Sequence, residues 1–480
     1  MAAPYLSVVV AARNDNHGGN MLARMQAFLD SWTVLAQRSG LDSEIVVVEW
    51  NPPADRPRLR DELRLPSKGA CDVRFLEVPT ALHATIPNAA AIPLHQMIAK
   101  NAGIRRARGQ FVLATNLDIV CSRELMVFLA GRRLENGVMY RIDRYDVAND
   151  LPPFSEGVDA LLDHCRDRVL RRFGAENVFR PEHGDWICTE ADDIADHGID
   201  FGRGWLAMER QGGFRYRWML PSARILLERP AGAALLIDAE VGPSQDGAPL
   251  TVEVRDDAGA IVARTEISGC PRLRLRFPRE LTSGGFNLNC EGRNIPLCPE
   301  LRMLHLRVIG LHWEAGDESS GWRLDTVDSR PGKDWSDTPA APARDIPRSA
   351  WLHVNACGDF TLMSRDDWFH LRGYAELPIW PLHIDALFCY AAYHSGIREQ
   401  VLRDPMRIYH VEHASGAGWS PEGEEALQRR IRARQVPVLD FDSDVAGWVQ
   451  QMRRWNAPVI FNLENWGLRD QPLADLSRPA

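Results

Sequence analysis

Apolar, β-branched runs that break at a polar cluster, followed by apolar residues at helical spacing, recur along the first 130 residues. Leu6-Ser7-Val8-Val9-Val10-Ala11-Ala12 stops at Arg13-Asn14-Asp15-Asn16-His17-Gly18-Gly19-Asn20. Met21, Met25, Phe28, Leu29, Trp32 and Leu35 then fall on one helix face. The cycle repeats. Residues 44–48 run into Glu49-Trp50-Asn51-Pro52-Pro53, residues 73–78 lead through a loop to a helix over 96–107, and Phe111-Val112-Leu113-Ala114 ends at Asn116-Leu117-Asp118. Ser122 is positioned to cap a helix over 123–129. Strands and helices in alternation predict an α/β fold with a mostly parallel, doubly wound sheet. Ligands bind at the carboxyl edge of such sheets, so the polar strand exits, Asp118 among them, are candidates to meet one. As ordinary turn residues they would only end the strands.

Further along, residues 138–147 alternate like one half-buried strand carrying two Arg and two Asp, and 158–173 has a helical pattern. Residues 180–213 read as a long irregular connection. The pattern changes at 214. Short alternating segments at 224–228, 234–239, 250–255, 260–264, 273–277 and 304–309, with turn signals between them, predict a β-sandwich inserted into the α/β part. Residues 316–348 are rich in Pro, Asp and Gly and read as a bridge or lid. Then a strand feeds a helix capped at Ser364 with Asp367 at the capping-box position. Another helix over 386–395 ends at Gly396, with Asp385 at its start as either an N-cap or a reactive carboxylate favoured by the helix dipole. Residues 407–413 are a strand or loop, the chain is helical from about 422, and 469–480 read as a frayed end. The expected organisation is 1–213, an inserted 214–313, a linker or lid at 314–350, and 351–480.

Composition narrows the function classes. The 480 residues are 45% hydrophobic and 25% charged, an ordinary globular balance. A formal net charge of -9 argues against nucleic acid or an anionic membrane met through bulk electrostatics. The nine cysteines form no C-x-x-C pair, which fits buried, reduced thiols better than a disulfide frame or zinc site. With no signal-peptide pattern and no apolar stretch long enough to span a bilayer, the expectation is a cytoplasmic protein. Neither G-x-G-x-x-G after the first strand nor G-x-x-x-x-G-K-[ST] is present, so dinucleotide and P-loop readings lose support.

The strand-end residues, together with Lys100-Asn101-Ala102-Gly103-Ile104-Arg105-Arg106-Ala107-Arg108-Gly109, resemble the nucleotide-sugar-binding half of GT-A glycosyltransferases of the family 2 type. The run from Gly358-Asp359-Phe360 through Arg372-Gly373-Tyr374 to Trp380 and His383-Ile384-Asp385 resembles the acceptor half of β-1,4-galactosyltransferases. The resemblance implies a GT-A core and a sugar transfer, of the inverting kind, from a UDP- or GDP-linked donor to the hydroxyl of a glycan or small molecule. It implies a Mn²⁺ or Mg²⁺ ion held by Asp118 and by His410 or His413, and Asp385 as general base. Arg13, Asn14, Asp15, Glu49, Asn51, Lys100, Asn101 and Asn116 would contact the donor, and Trp380, His383 and Asp359 the acceptor. Three departures stand out: Asn116 replaces the first acid of the D-x-D motif, Ile384 replaces a Glu, and Glu49 replaces an Asp. They leave open an alternative, a non-catalytic carbohydrate-binding or assembly protein on a degenerate core.

Overall fold

The computed structural model describes residues 3–66, 71–174, 178–180, 185–186, 194–202, 204–206, 208–211, 214–293, 295, 304–315, 320–331, 352–413 and 424–476. The chain divides into two compact units, Met1–Gly174 with Leu352–Ala480, and Ala175–Trp351.

The first unit is mixed α/β. Its strands are Leu6–Ala12 (β1), Ser43–Trp50 (β2), Cys71–Val78 (β3), Phe111–Ala114 (β4), Ile119–Cys121 (β5), Val138–Ile142 (β6), Arg144–Val147 (β7), Val169–Phe173 (β8), Thr361–Ser364 (β9), Arg398–Leu402 (β10), Ile408–Val411 (β11) and Ala474–Asp475 (β12). Its main helices are Met21–Ser39 (α1), Gln96–Arg106 (α2), Arg123–Ala130 (α3), Val158–Asp167 (α4), Arg365–Leu371 (α5), Ile384–His394 (α6), Glu424–Arg434 (α7) and Ala446–Trp455 (α8).

Eight strands form one mostly parallel sheet in the order β10-β6-β9-β4-β1-β2-β3-β12, with β9 and β12 reversed. Period-2 alternation decides its two faces. Val8, Val10, Ile45 and Val47 point into one core with α1 and α3, whereas Val9, Val46 and Val48 point into the other with α2, α5 and α6. Register aligns the strand exits, because Ala12 pairs with Glu49, Val9 with Ala114, and Ala114 with Thr361. Residues 13–15, 49–51, 115–118 and 357–360 therefore gather along one edge. A second sheet runs β8-β7-β11-β5 within this unit.

Several expectations change. The stretch 138–147 is two strands in two sheets, fully buried, because its Arg and Asp residues pair with one another and with neighbours instead of facing water. The segment 158–173 is a helix only to Asp167; Val169–Phe173 is β8, pairing antiparallel with β7. The tail is tied down where fraying was expected, since Arg74 holds Asp475 at 2.7 Å and β12 pairs with β3. The caps at Ser122 and Ser364 form as read, accepting from Leu125 N at 3.2 Å and Asp367 N at 3.0 Å.

The second unit contains two antiparallel sheets. One runs Ile199–Phe201, Ser222–Glu228, Ser283–Glu291, Leu250–Arg255, Ile261–Ile267. The other runs Glu209–Gln211, Phe214–Met219, Leu306–Ala315, Ala233–Val241, Cys270–Arg276, Arg323–Arg330. Ile225, Val252 and Leu288 from the first and Leu235, Leu273 and Leu311 from the second share one apolar cluster. Residues before 214 and after 313 thus join these sheets, and Arg323–Arg330, within the expected lid, is an edge strand paired with Cys270–Arg276. Of that expected lid, 316–319 and 332–350 lie outside the described residues. No helix among the described residues is long and apolar enough to cross a membrane.

The Gly in the Lys-Asn-x-Gly run has a packing role. A Cβ on Gly103 would sit 2.4 Å from Val9 Cγ1 and 2.9 Å from Val48 Cγ2, so only Gly lets α2 lie this close to β1 and β2. Gly103→Ala is expected to cost about 1–3 kcal/mol, the usual penalty for overfilling a packed core. A lowered urea midpoint at unchanged slope is the expected readout; an unchanged midpoint would show that the helix can slide outward at no cost.

Candidate metal centre

Register between short strands assembles this site. His410, on β11, lies opposite Ile119 of β5 on one side and Asp146 of β7 on the other. Val411 N donates to the Asp118 carbonyl at 2.9 Å, so Asp118 and His410 are brought side by side by backbone pairing alone. His410 Nε2 stands 3.7 Å from Asp118 Oδ2, and His413 Nε2 stands 3.6 Å from the same oxygen. The two Nε2 atoms are 3.3 Å apart. Ligand bonds of about 2.1 Å imply ligand-to-ligand separations of roughly 3.0–3.4 Å, so one ion could bridge all three after shifts of a few tenths of an ångström.

The surroundings prepare these atoms for a cation. Asp146 Oδ1 lies 3.1 Å from His410 Nδ1. A carboxylate only accepts, so Nδ1 carries the proton and Nε2 turns its lone pair toward Asp118, the usual device that orients a metal-binding histidine. Burial alone would raise the pKa of Asp146, but Arg144, His410 and Arg171 outweigh it and hold the carboxyl well below the usual range. Burial opposes a charged His410, yet Asp146 and Asp118 leave its pKa raised. His413 is pushed down to about 4 by burial and then by His410, which keeps it neutral. Asp118 Oδ1 and His413 Nδ1 are both buried with no hydrogen-bond partner among the described residues. Two imidazoles and an under-satisfied carboxylate on one point fit a divalent ion. Gly18, at φ +71°, packs over His413: a Cβ there would lie 2.9 Å from the His413 Cβ.

Arg24, on the opening turn of α1, gave no signal in the sequence. Its Nη1 donates to Asp118 Oδ2 at 2.8 Å, and its Nη2 donates to the carbonyls of His17 at 2.5 Å and Gly19 at 3.2 Å. Arg144 and Asp146 were visible as charges on an alternating strand, but nothing in the sequence tied them to His410.

The other expected residues divide into groups. Arg13, Asp15 and Asn51 form a chain at the exits of β1 and β2: Arg13 Nε donates to the Asn51 carbonyl at 2.8 Å and Nη1 to Asp15 Oδ2 at 3.0 Å. Asn14 is buried and donates to the Pro57 carbonyl. Asn101 lies at the junction of α2 and the 373–376 turn. Its amide exchanges hydrogen bonds with the backbone of Tyr374 and donates to Glu376 Oε1, tying α2 to the 373–376 turn. Lys100 is fully buried, and its Nζ donates to the Gly358 carbonyl at 2.7 Å. Burial lowers its pKa against the opposing charges of Asp359, Asp385 and Asp118.

Asn116 Nδ2 donates to Asp359 Oδ1 at 2.5 Å, and Arg144 Nη1 donates to Asp359 Oδ2 at 2.7 Å. Both oxygens of Asp359 therefore accept a hydrogen bond from within the protein. Next to it, Gly358 approaches Asp385 so closely that a Cβ there would sit 2.9 Å from Asp385 Oδ2. Asp385 is the second residue of α6, and His383 holds the N-cap position without a side-chain cap, so Asp385 is not an N-cap. Its carboxylate is half-buried and accepts from Ala386 N at 3.0 Å. Trp380 has Arg430 and Arg434 beside its ring, at 5.4 and 5.7 Å. His383 is edge-on to Phe441.

Comparison with protein-family models finds no match for this chain. Comparison with curated proteins finds none either. The site rests on its own geometry: a metal-type triad, joined through Asn116, Asp359 and Gly358 to a second carboxylate, Asp385, with the buried Lys100 ammonium on the Gly358 carbonyl.

Glu49 gives a test with a defined sign. It is buried; Oε1 accepts from Leu59 N at 3.0 Å while Oε2 has no partner among the described residues, and burial raises its pKa from 4.5 to about 7. A raised folded pKa stabilises the fold fully below the unfolded value, and that contribution is lost as pH climbs through the folded value. Glu49→Gln keeps an acceptor for Leu59 but cannot ionise. Relative to wild type it should gain stability as pH rises from about 4.5 to about 7, then run level. Urea melts at pH 5, 6, 7 and 8 measure this, and a difference that does not change with pH would mean that Glu49 titrates normally.

Proposed function

We propose that this chain is an inverting, metal-assisted glycosyltransferase with a GT-A core and an inserted β-sandwich, moving a sugar from a nucleotide-diphosphate donor to a hydroxyl. The observation that carries the reading is the convergence of Asp118, His410 and His413 at the carboxyl edge of a mostly parallel sheet. The reversed β9 between β4 and β6, which brings residues 357–360 to that edge, supports it.

A divalent ion held by Asp118, His410 and His413 would act as Lewis acid, neutralising charge that develops on the departing diphosphate. Two imidazoles in the set favour Mn²⁺ over Mg²⁺, which prefers oxygen ligands. Asp385 accepts the proton of the acceptor hydroxyl as its oxygen forms a bond to the anomeric carbon. The bond from that carbon to the phosphate oxygen breaks with its electron pair leaving on the diphosphate. Such a base contributes about 10²–10⁴ in rate. Lys100, through the Gly358 carbonyl, keeps the 357–359 turn against Asp385. Arg13, Asp15 and Asn51, at the exits of β1 and β2, bind the nucleoside.

A rival reading, a non-catalytic carbohydrate-binding or assembly protein, is favoured by Asn116. The residue standing at the first D-x-D position spends its amide on Asp359 and Gln96 and not on a ligand. Thermal-shift screening of UDP, GDP and their sugar conjugates, with and without Mn²⁺, separates the two. The transferase reading expects stabilisation that requires both Mn²⁺ and Asp118 and disappears in Asp118→Ala. Asp385→Asn should keep that shift while losing turnover at least a hundredfold. No shift with any nucleotide, alongside binding of glycans by the full chain, would favour the rival.

A further inference from the structure

The atom nearest to both histidines of the triad, Asp118 Oδ2, is also the atom that Arg24 holds. Arg24 is nearly fully buried, and its guanidinium is shared between that oxygen and the carbonyls of His17 and Gly19. Its position is electrostatically unusual. The opening turn of a helix carries a partial positive charge and favours acids, yet α1 has no acid in its first turn, no side-chain cap at Asn20, and this buried cation instead. Such an arrangement is stable only while Asp118 and the turn carbonyls supply the compensating charge. Meanwhile Oδ1 of the same carboxylate is buried and without a partner among the described residues.

Resting on the metal reading above, we propose that Arg24 is the resident counter-cation of the site, which a divalent ion must displace from Asp118. Metal occupancy is thereby coupled to the His17–Gly19 turn. A guanidinium and a divalent ion on one carboxylate oxygen repel each other at short range in a buried setting. When the ion takes Oδ2, Arg24 loses the charge that anchors it and loosens from His17 and Gly19. The turn, pressed on His413 through Gly18, is then released together with a cation at the start of α1, both available to an anionic diphosphate. The same contact seals the carboxylate when no ion is bound, so Arg24 acts as a positioning residue and sets the order of binding, ion before donor.

The test is the Mn²⁺ affinity of the full chain, by calorimetry without nucleotide, for wild type, Arg24→Gln and Arg24→Lys. Removing the charge in Arg24→Gln should tighten Mn²⁺ binding roughly ten- to hundredfold, the worth of one charge-assisted hydrogen bond. Arg24→Lys, which keeps the charge, should stay within about threefold of wild type. Equal or weaker binding by Arg24→Gln overturns the proposal and makes Arg24 a support of the ligand set. Equal tightening by Arg24→Lys overturns the charge argument. If neither wild type nor Arg24→Gln binds Mn²⁺, the metal reading itself falls and this proposal with it. A second measurement needs no variant: hydrogen exchange of a peptide covering residues 13–21 should speed up when Mn²⁺ alone is added, and unchanged exchange contradicts the coupling.

Discussion

Asp118 is a carboxylate largely withdrawn from water, with one oxygen lacking any donor among the described residues, and the surrounding structure supplies the positive charge it demands. A buried acceptor left unpaired costs about 1–3 kcal/mol, and a buried carboxylate without a counter-charge costs more. The helix α1 answers with Arg24, and strand β11, paired between β7 and β5, answers with His410 and, just beyond it, His413. Behind them Asp146 polarises His410 and is itself held by Arg144 and Arg171. From Asp118 outward, His410 on β11, Asp146 on β7 and Arg171 on β8 alternate in charge type across three neighbouring strands of the second sheet. Pairing of those strands is thus both the scaffold and the source of the site's electrostatics.

The large sheet contributes the second carboxylate through buried cations that join distant parts of the sequence. Lys100 reaches the Gly358 carbonyl, and Arg141 donates to the carbonyls of His353, Asn355 and Cys357. Between them they hold the segment ahead of β9, the one strand that enters the centre of the parallel sheet in reverse. The backbone of that segment has few partners of its own, so its carbonyls are satisfied by side chains. As a result Gly358 is pressed against Asp385 and Asp359 against Asn116. The site is entirely within the first unit, from residues more than 200 positions apart in sequence.

The amide at position 116 has a physical reading. Asp359, with Arg144 on one oxygen, needs a donor for the other, and an aspartate at 116 could not give one. The amide makes the junction between the two halves of the sheet and leaves Asp118 as the single carboxylate of the triad. An acid there would also add a like charge to a region already holding Asp118, Asp359 and Asp385.

By itself, the sequence determined what depends on neighbours along the chain. Strand-then-helix alternation, the caps at Ser122 and Ser364, and the polar exits at 13–15, 49–51 and 116–118 all follow from local spacing, because periodicity and capping are short-range effects. Asp118, His410 and His413 could be grouped as candidate ligands in the sequence only through a resemblance. What the tertiary structure decided is which charges meet. Arg24 sits on an ordinary amphipathic helix, Asp146 on a strand readable as a solvated face, and the stretch 158–173 has a helical pattern whose second half pairs as β8 instead. Asn101 ties α2 to the 373–376 turn, a junction between segments far apart in sequence. Those outcomes turn on strand register and long-range burial, where desolvation forces each ion to find a partner, and no local pattern in a sequence encodes the identity of that partner.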